Sequence, residues 1–467
     1  MNIVSYRGPG MAGGVSAALS TLWAVEHAQG SRWYHMNDTA IKAFSNENQA
    51  PQAIGAIPQM VIDGHYRFCN EFLWPVMHDM PEYARYTAAD HGLYRSFNTI
   101  FSVHLSAAAR WWSRQYFVQD YQLALLPELL ASGVKNVESF VFWHIPWPRS
   151  VEKEHLGPIA EMARALLKAS AVGFHTQEYA ASFLRFVEQN LADVSVDWTN
   201  FLAGGTTLVV VAPLGIDLDY WTKAAGRELD IFEDERFRSL KGKPFVLSVD
   251  RADYTKAVAE RLEMIDRFFE HNPSWVGQMT FAQVCGRTRP GLAAFDDYWI
   301  RCRDLADRLK QRWASDNWQP LLWIETPVCQ DDLALLYRET PVMLVNPVRD
   351  GLNLTAKEFV ACQGERRGVL LLSAGAGAWH ELGYYTIPVD PQRTKRMADR
   401  VCAALTMRPS EKLARVDLMR EKLKANTLHH WWCYFNEALP ERIAITRAGK
   451  WAAAHQQSSL RRAYTRS

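Results

Sequence analysis

The chain has 467 residues, which at roughly 100–200 residues per domain implies two or three domains with ample core. Its 52 Lys+Arg against 51 Asp+Glu, with 48% hydrophobic residues, disfavour a nucleic-acid-coating or anionic-membrane role and exclude disordered and fibrous classes. Seven cysteines without a CxxC pair fit neither a disulfide framework nor a zinc site, and no leader or run of about 18 apolar residues is present, so a soluble protein of the reducing cytoplasm is expected.

Short apolar runs alternate with amphipathic helical stretches, the pattern of parallel sheets covered by helices. Strands are expected over 2–6, 116–119, 139–144, 171–175 and 207–212 in one sheet. A second sheet is expected from 244–249, 278–285, 321–325, 342–346, 369–373 and 386–389. The polar, mixed-charge stretch 217–243 reads as a connection over a domain surface. It sets an N-terminal domain at 1–225 and a C-terminal domain at 226–440, with a basic helical tail at 441–467. The fold class is therefore α/β, with two Rossmann-like, doubly wound domains facing a central cleft, and ligand groups are sought just after strands.

Three post-strand clusters stand out. Arg7 opens the glycine-rich turn RGPGMAGG, whose amides and following helix suit anionic oxygens; a flexible turn with a surface arginine is the plain alternative. Arg251 and Lys256 follow the first strand of the second domain, where two cations can neutralise a diphosphate without a metal; helix caps beside solvated cations are the alternative. The segment from Arg349 to Glu358 is the most specific: Asp350, Gly351 and Asn353 offer contacts to sugar hydroxyls, a helix opening near Asn353 offers amides to phosphate, and Glu358 lies one turn on, able to accept from a ribose diol. In the first domain Asp120 and His144 end neighbouring strands, and Arg287 and Arg289 add positive charge after the strand ending at Cys285. The acidic pairs Asp296-Asp297 and Asp331-Asp332 sit in charged helical segments and read as solvated faces rather than metal ligands.

Taken in order, AGGVSAAL, FLWP, QDYQL, HIPWP, GFHTQEYAASFL, APLGID, VDRADYTKAVAERL, NPVRDGLNLTAKEFVACQ, GVLLLSAGAGAWHEL and NTLHHWW resemble the motifs of the trehalose-6-phosphate synthase family, retaining glucosyltransferases of the GT-B fold. The resemblance spans nearly the whole chain. It implies transfer of glucose from a nucleoside-diphosphate glucose to a phosphorylated acceptor, with retention, no metal and no cofactor. UDP-glucose is the first expectation as donor, with GDP- and ADP-glucose as alternatives. By motif position, Arg251 and Lys256 would hold the diphosphate with backbone at Leu354 and Thr355. Asp350, Gly351, Leu352 and Asn353 would hold the glucose, Glu358 the ribose, and Gly14 would join the donor side. His144 and Asp120 would flank the transferred sugar. Arg7, Trp74, Arg289 and either His65 or Tyr66 would receive the acceptor.

Front-face attack is the favoured route, with Asp120 the candidate nucleophile for a covalent alternative. The departures gather on the acceptor side: QDYQL replaces the family's HDYHL, His65 or Tyr66 stands where a tyrosine is usual, and the first loop is short. Glucose 6-phosphate is the expected acceptor, giving α,α-trehalose 6-phosphate. Glucosylglycerol-phosphate synthases, which use glycerol 3-phosphate, and pseudo-glycosyltransferases are the alternatives, and a non-catalytic sugar-phosphate-binding relative is a remote one. The partners expected are small molecules, without nucleic acid or membrane; homo-oligomerisation stays open.

Overall fold

The computed structural model describes residues 1–9, 14–26, 31–36, 52–55, 57–110, 113–364 and 368–446. Its contacts divide the chain into two compact units, one of Met1–Cys69, Thr87–Pro213 and Leu428–Ser467, the other of Asn70–Tyr86 and Leu214–Thr427.

The first unit is built on a nine-stranded sheet of β1 (Asn2–Ser5), β2 (Trp33–Met36), β3 (Gln52–Ile54), β4 (Gln115–Gln119), β5 (Glu138–Trp143), β6 (Ala171–Phe174), β7 (Val196–Asp197), β8 (Leu202–Ala203) and β9 (Thr207–Val211). Its order is β3-β2-β1-β4-β5-β6-β9-β8-β7, parallel except where β7, β8 and β9 pair antiparallel. Central strands such as FVFW of β5 are buried on both faces and so read as unbroken apolar runs. The short strands β2, β3, β7 and β8 carry no such run, which is why the sequence does not announce them. The chain returns to this sheet through the helix Leu428–Cys433: Phe435 stacks on Phe117 at 4.7 Å between ring centres, and a Cβ at Gly173 would lie 2.9 Å from the Phe435 ring.

The second unit holds a six-stranded, wholly parallel sheet of β10 (Phe245–Ala252), β11 (Thr280–Arg287), β12 (Leu321–Ile324), β13 (Val342–Val345), β14 (Val369–Ser373) and β15 (Ile387–Val389), in the order β12-β11-β10-β13-β14-β15. All six expected strands are present here. Through its first six strands the other sheet repeats the same winding, so each unit has one point where the strand order reverses: β1 beside β4, and β10 beside β13. Loops leaving those strands are where open α/β sheets present ligand groups.

The stretch 217–243 is not a surface connection. Asp217 caps the helix Leu218–Ala225 by accepting from the Tyr220 amide, and Trp221, Ala224, Ile231, Phe232, Phe237 and Leu240 enter one core cluster with Phe245 and Leu247. Charged residues interleaved among these apolar ones hide the periodicity. The division expected at 225/226, with a separate tail from 441, thus differs from the compact units, which divide at Pro213 and Leu214 and change again at Leu428. Among the described residues, no helix is long and apolar enough to cross a membrane.

Candidate functional site

In the second unit, the chain leaves β10 through Arg251 and Asp253 into a tight turn ending at Lys256, followed by Ala257 in the left-handed region at φ 53° and the helix Val258–His271. The turn is fixed by the buried Asp253 carboxylate, which accepts from the Thr255 amide at 3.1 Å and hydroxyl at 3.0 Å. After β13, Asn353 adopts φ 71° and caps the helix Leu354–Cys362 by accepting from the Ala356 amide. The two turns meet: Lys256 pairs with Asp350, whose Oδ2 also accepts from Asn353 Nδ2 at 3.0 Å. The neighbouring loop after β14 lies backbone to backbone against this one, since a Cβ at Gly377 would stand 2.0 Å from the Gly351 carbonyl oxygen. Hydrogen bonds from the Asp350 amide to the Gly375 carbonyl (2.8 Å) and from the Ala378 amide to the Leu352 carbonyl (2.7 Å) complete that seam.

Arg251, in the last residues of β10, and Lys256, Asp350, Gly351, Leu352, Asn353, Leu354, Thr355 and Glu358, on the segments that follow β10 and β13, therefore all lie at one switch point. Arg251 is exposed. The Glu358 carboxyl is pushed up to about 7 by burial, so it is poised to be ionised by a hydrogen-bond donor arriving beside it.

Beneath the turn are residues that sequence reasoning missed. Arg261, 1% exposed, reaches Asp250 at 2.7 Å, Gln283 at 2.7 Å and Asn346 at 2.6 Å, riveting β10 to the middle of β11 and to the residue after β13. A buried arginine bonded on three sides is structural, and its helical i, i+4 spacing gave no sign of this. The segment 70–86 adds a second group. Arg289 donates to Asp253 at 2.7 Å and to Asn70 at 2.5 Å and lies over the Trp74 ring at 4.0 Å, so the two expected acceptor residues are brought together. Most of the Arg289 guanidinium is already engaged. Burial alone would raise Asp253, but Arg289 and Arg251 outweigh it and hold its carboxyl at about 2. His78 stacks near Trp74 and donates from Nδ1 to the Trp74 carbonyl at 2.7 Å, while Asp79 pairs with Arg349 at 3.0 Å.

In the first unit, Asp120 and His144 stand together as expected. Asp120, at φ 69°, accepts from the His144 amide at 3.0 Å, and His144 Nε2 donates to Gln119 Oε1 at 2.9 Å. Burial drives the two in opposite directions, Asp120 up to about 7 and His144 down to about 3, so the imidazole stays neutral. Arg7 is exposed at the end of β1, and Gly14 opens the helix Gly14–Glu26; the turn residues 10–13 lie outside the described residues. His65 is a correction. It is fully buried, stacks on Phe97 at 3.8 Å, donates to the Gln122 carbonyl at 2.9 Å and is held at about 4 by burial, so it is a core histidine and presents nothing to a phosphate. Tyr66 beside it is half-buried.

Three of the four carboxylates in the acidic pairs are engaged by arginines: Asp296 by Arg287 at 2.7 Å, Asp331 by Arg227 at 2.6 Å and Asp332 by Arg236 at 3.0 Å. Among the described residues, Glu152, Glu154 and His155 bring ligand atoms within 4.8 Å of one another; both glutamates are exposed and each approaches the imidazole as an ion-pair partner.

The bifunctional trehalose-6-phosphate synthase/phosphatase of Thermoproteus tenax is 32% identical over 376 residues, covering 79% of this chain and 51% of the relative; the chain thus spans about half the length of that curated relative. A Burkholderia xenovorans α,α-trehalose-phosphate synthase (UDP-forming), solved with glucose-6-phosphate, is similar with TM-score 0.82 and 28% identity over 94% of this chain and 99% of that one. An E. coli trehalose-6-phosphate structure bound with UDP-2-fluoro glucose gives TM-score 0.84 and 25% identity over 94% and 99%. The fold is the GT-B class expected from the sequence. The family model described as glycosyltransferase family 20 matches residues 14–441, and the chain belongs to that family, the trehalose-6-phosphate synthase family that its motifs resemble.

Proposed function

We propose that the protein is a retaining glucosyltransferase that moves glucose from UDP-glucose to glucose 6-phosphate, forming α,α-trehalose 6-phosphate and UDP. The observation that carries this reading is the meeting of Lys256, Asp350 and Asn353 at the β10/β13 switch point, with the amide end of the helix Leu354–Cys362 beside them. Arg251, Lys256 and the amides of Leu354 and Thr355 draw charge from the departing diphosphate. Asp350 and Asn353, with backbone at Gly351 and Leu352, orient the glucose hydroxyls, and Glu358 accepts from the ribose. Arg7, Tyr66, Trp74 and Arg289 are the acceptor groups; Gly14 belongs with the donor.

The bond from the anomeric carbon to the diphosphate oxygen breaks, and a bond to the acceptor hydroxyl oxygen forms on the same face. The acceptor proton passes to the leaving phosphate oxygen. Asp120 suits this route better than a covalent one, because burial keeps its carboxyl near 7 and one oxygen is committed to the His144 amide. His144, neutral by burial, acts as a hydrogen-bonding group rather than a proton donor.

Gln122 departs from the family pattern and His65 is withdrawn into the core, so the acceptor side is where a different phosphorylated alcohol would be accommodated. The test is a matrix of UDP-, GDP- and ADP-glucose against glucose 6-phosphate and glycerol 3-phosphate, with product analysis. The reading expects trehalose 6-phosphate from UDP-glucose and glucose 6-phosphate; transfer to glycerol 3-phosphate alone would replace the acceptor, and no nucleotide release in any arm would remove the activity.

A further inference from the structure

We propose that Gln119 is a positioning residue: its side-chain oxygen holds the His144 imidazole in the Nε2–H tautomer and so leaves Nδ1 as an acceptor for a sugar hydroxyl. The claim that the hydroxyl belongs to the transferred glucose rests on the proposed function; the tautomer does not.

Gln119 ends β4, paired in register with Phe142 of β5, and His144 follows two residues later. Both side chains are withdrawn from solvent, Gln119 to 1% exposure and His144 to 6%. The amide orientation is set locally. Gln119 Nε2 points to the Phe117 carbonyl at 3.4 Å, which turns Oε1 to His144 Nε2 at 2.9 Å. Flipping the amide would set the Gln119 and Phe117 oxygens against each other. An amide oxygen only accepts, so the hydrogen bond requires the proton on Nε2, and a neutral imidazole with that proton has a bare lone pair on Nδ1.

Nδ1 is buried and, among the described residues, makes no hydrogen bond. A buried acceptor without a donor is costly, and a hydroxyl delivered by a ligand removes that cost. The groups packed on the ring are Phe142, with centroids 4.7 Å apart, the His175 ring at 5.2 Å and Trp431 at 6.4 Å; the Asp120 carboxylate bonds the His144 backbone amide. Among the described residues, no carboxylate is bonded to the ring itself to favour a second proton. Histidine at position 119, the residue the family pattern carries, can donate or accept and would leave the tautomer open; glutamine decides it.

The experiment is long-range 1H–15N spectroscopy of the wild-type protein labelled at histidine, with the His144 signals assigned by their loss in His144→Gln. The expected result is a protonated Nε2 and a bare Nδ1 whose shift moves when UDP-glucose is added. A protonated Nδ1, or an Nδ1 shift indifferent to UDP-glucose in a protein that transfers glucose, overturns the proposal. Two variants add a kinetic readout. Gln119→Leu should lower kcat/KM for the donor at least tenfold at every pH. Gln119→Glu keeps an acceptor for Nε2–H but attracts a second proton to the ring, so its kcat/KM should approach wild type at high pH and fall along a new acidic limb that the wild type lacks. A uniform loss in Gln119→Glu without that limb means that Gln119 only supports packing. Should the wild type transfer no glucose, the proposed function fails while the spectrum still decides the tautomer.

Discussion

Lys256 and Asp350, 94 residues apart in the chain, form an ion pair that ties the turn after β10 to the turn after β13. A cation proposed for the phosphate and a carboxylate proposed for the sugar hydroxyls are thus held against each other.

Replacing either donor cation should be costly to catalysis. Lys256→Ala or Arg251→Ala is expected to lower turnover about a hundredfold or more, by analogy with the ~2.7–4 kcal/mol lost with one oxyanion donor. Initial rates of UDP release measure this, and unchanged rates in both variants would remove them from the diphosphate.

Asp253 ties stability to pH. Its carboxyl is held at about 2, below the ordinary 3.8, so its contribution is present in full above about pH 4 and is lost as pH falls through about 2. Asp253→Asn should flatten the fall in stability across that interval, as read by chemical unfolding at a series of pH values. Asp253→Ala leaves Arg289 buried without its partner and should cost about 3–5 kcal/mol.

Glu358 has the opposite sign. With its carboxyl raised from 4.5 to about 7, ionisation works against the folded state as pH rises through that interval. Glu358→Gln should therefore raise Tm at pH 8 more than at pH 5, while weakening UDP-glucose binding. A variant whose Tm gain is the same at both pH values contradicts the burial argument.

Gly377→Ala tests the seam between the loops after β13 and β14. The added methyl would meet the Gly351 carbonyl oxygen at 2.0 Å, and backbone cannot yield as a side chain does. A loss of roughly 1–3 kcal/mol of stability is expected, together with weaker donor binding, both measurable by thermal unfolding with and without UDP.

Much of the fold was legible in the chain because buried parallel strands advertise themselves as apolar runs, and Arg251, Lys256 and Asp350 stand at or within a few residues of their ends. What stayed hidden depended on distant partners. Nothing local marks Arg261 as a rivet between three strands, and nothing marks Asp253 as the anchor of Arg289. His65 illustrates the converse: its position in the motif order suggested a ligand, yet Tyr6, Tyr94 and Phe97 enclose its ring. The helix Leu218–Ala225 was missed because its apolar face, carried by Trp221, Ala224 and Ala225, spans only eight residues of chain.

The most direct measurement is a crystal structure of the protein with UDP-glucose. The account predicts the diphosphate between the Arg251 and Lys256 side chains and the amides of Leu354 and Thr355, with glucose hydroxyls on Asp350 and Asn353. Phosphates bound away from Arg251 and Lys256 would contradict it.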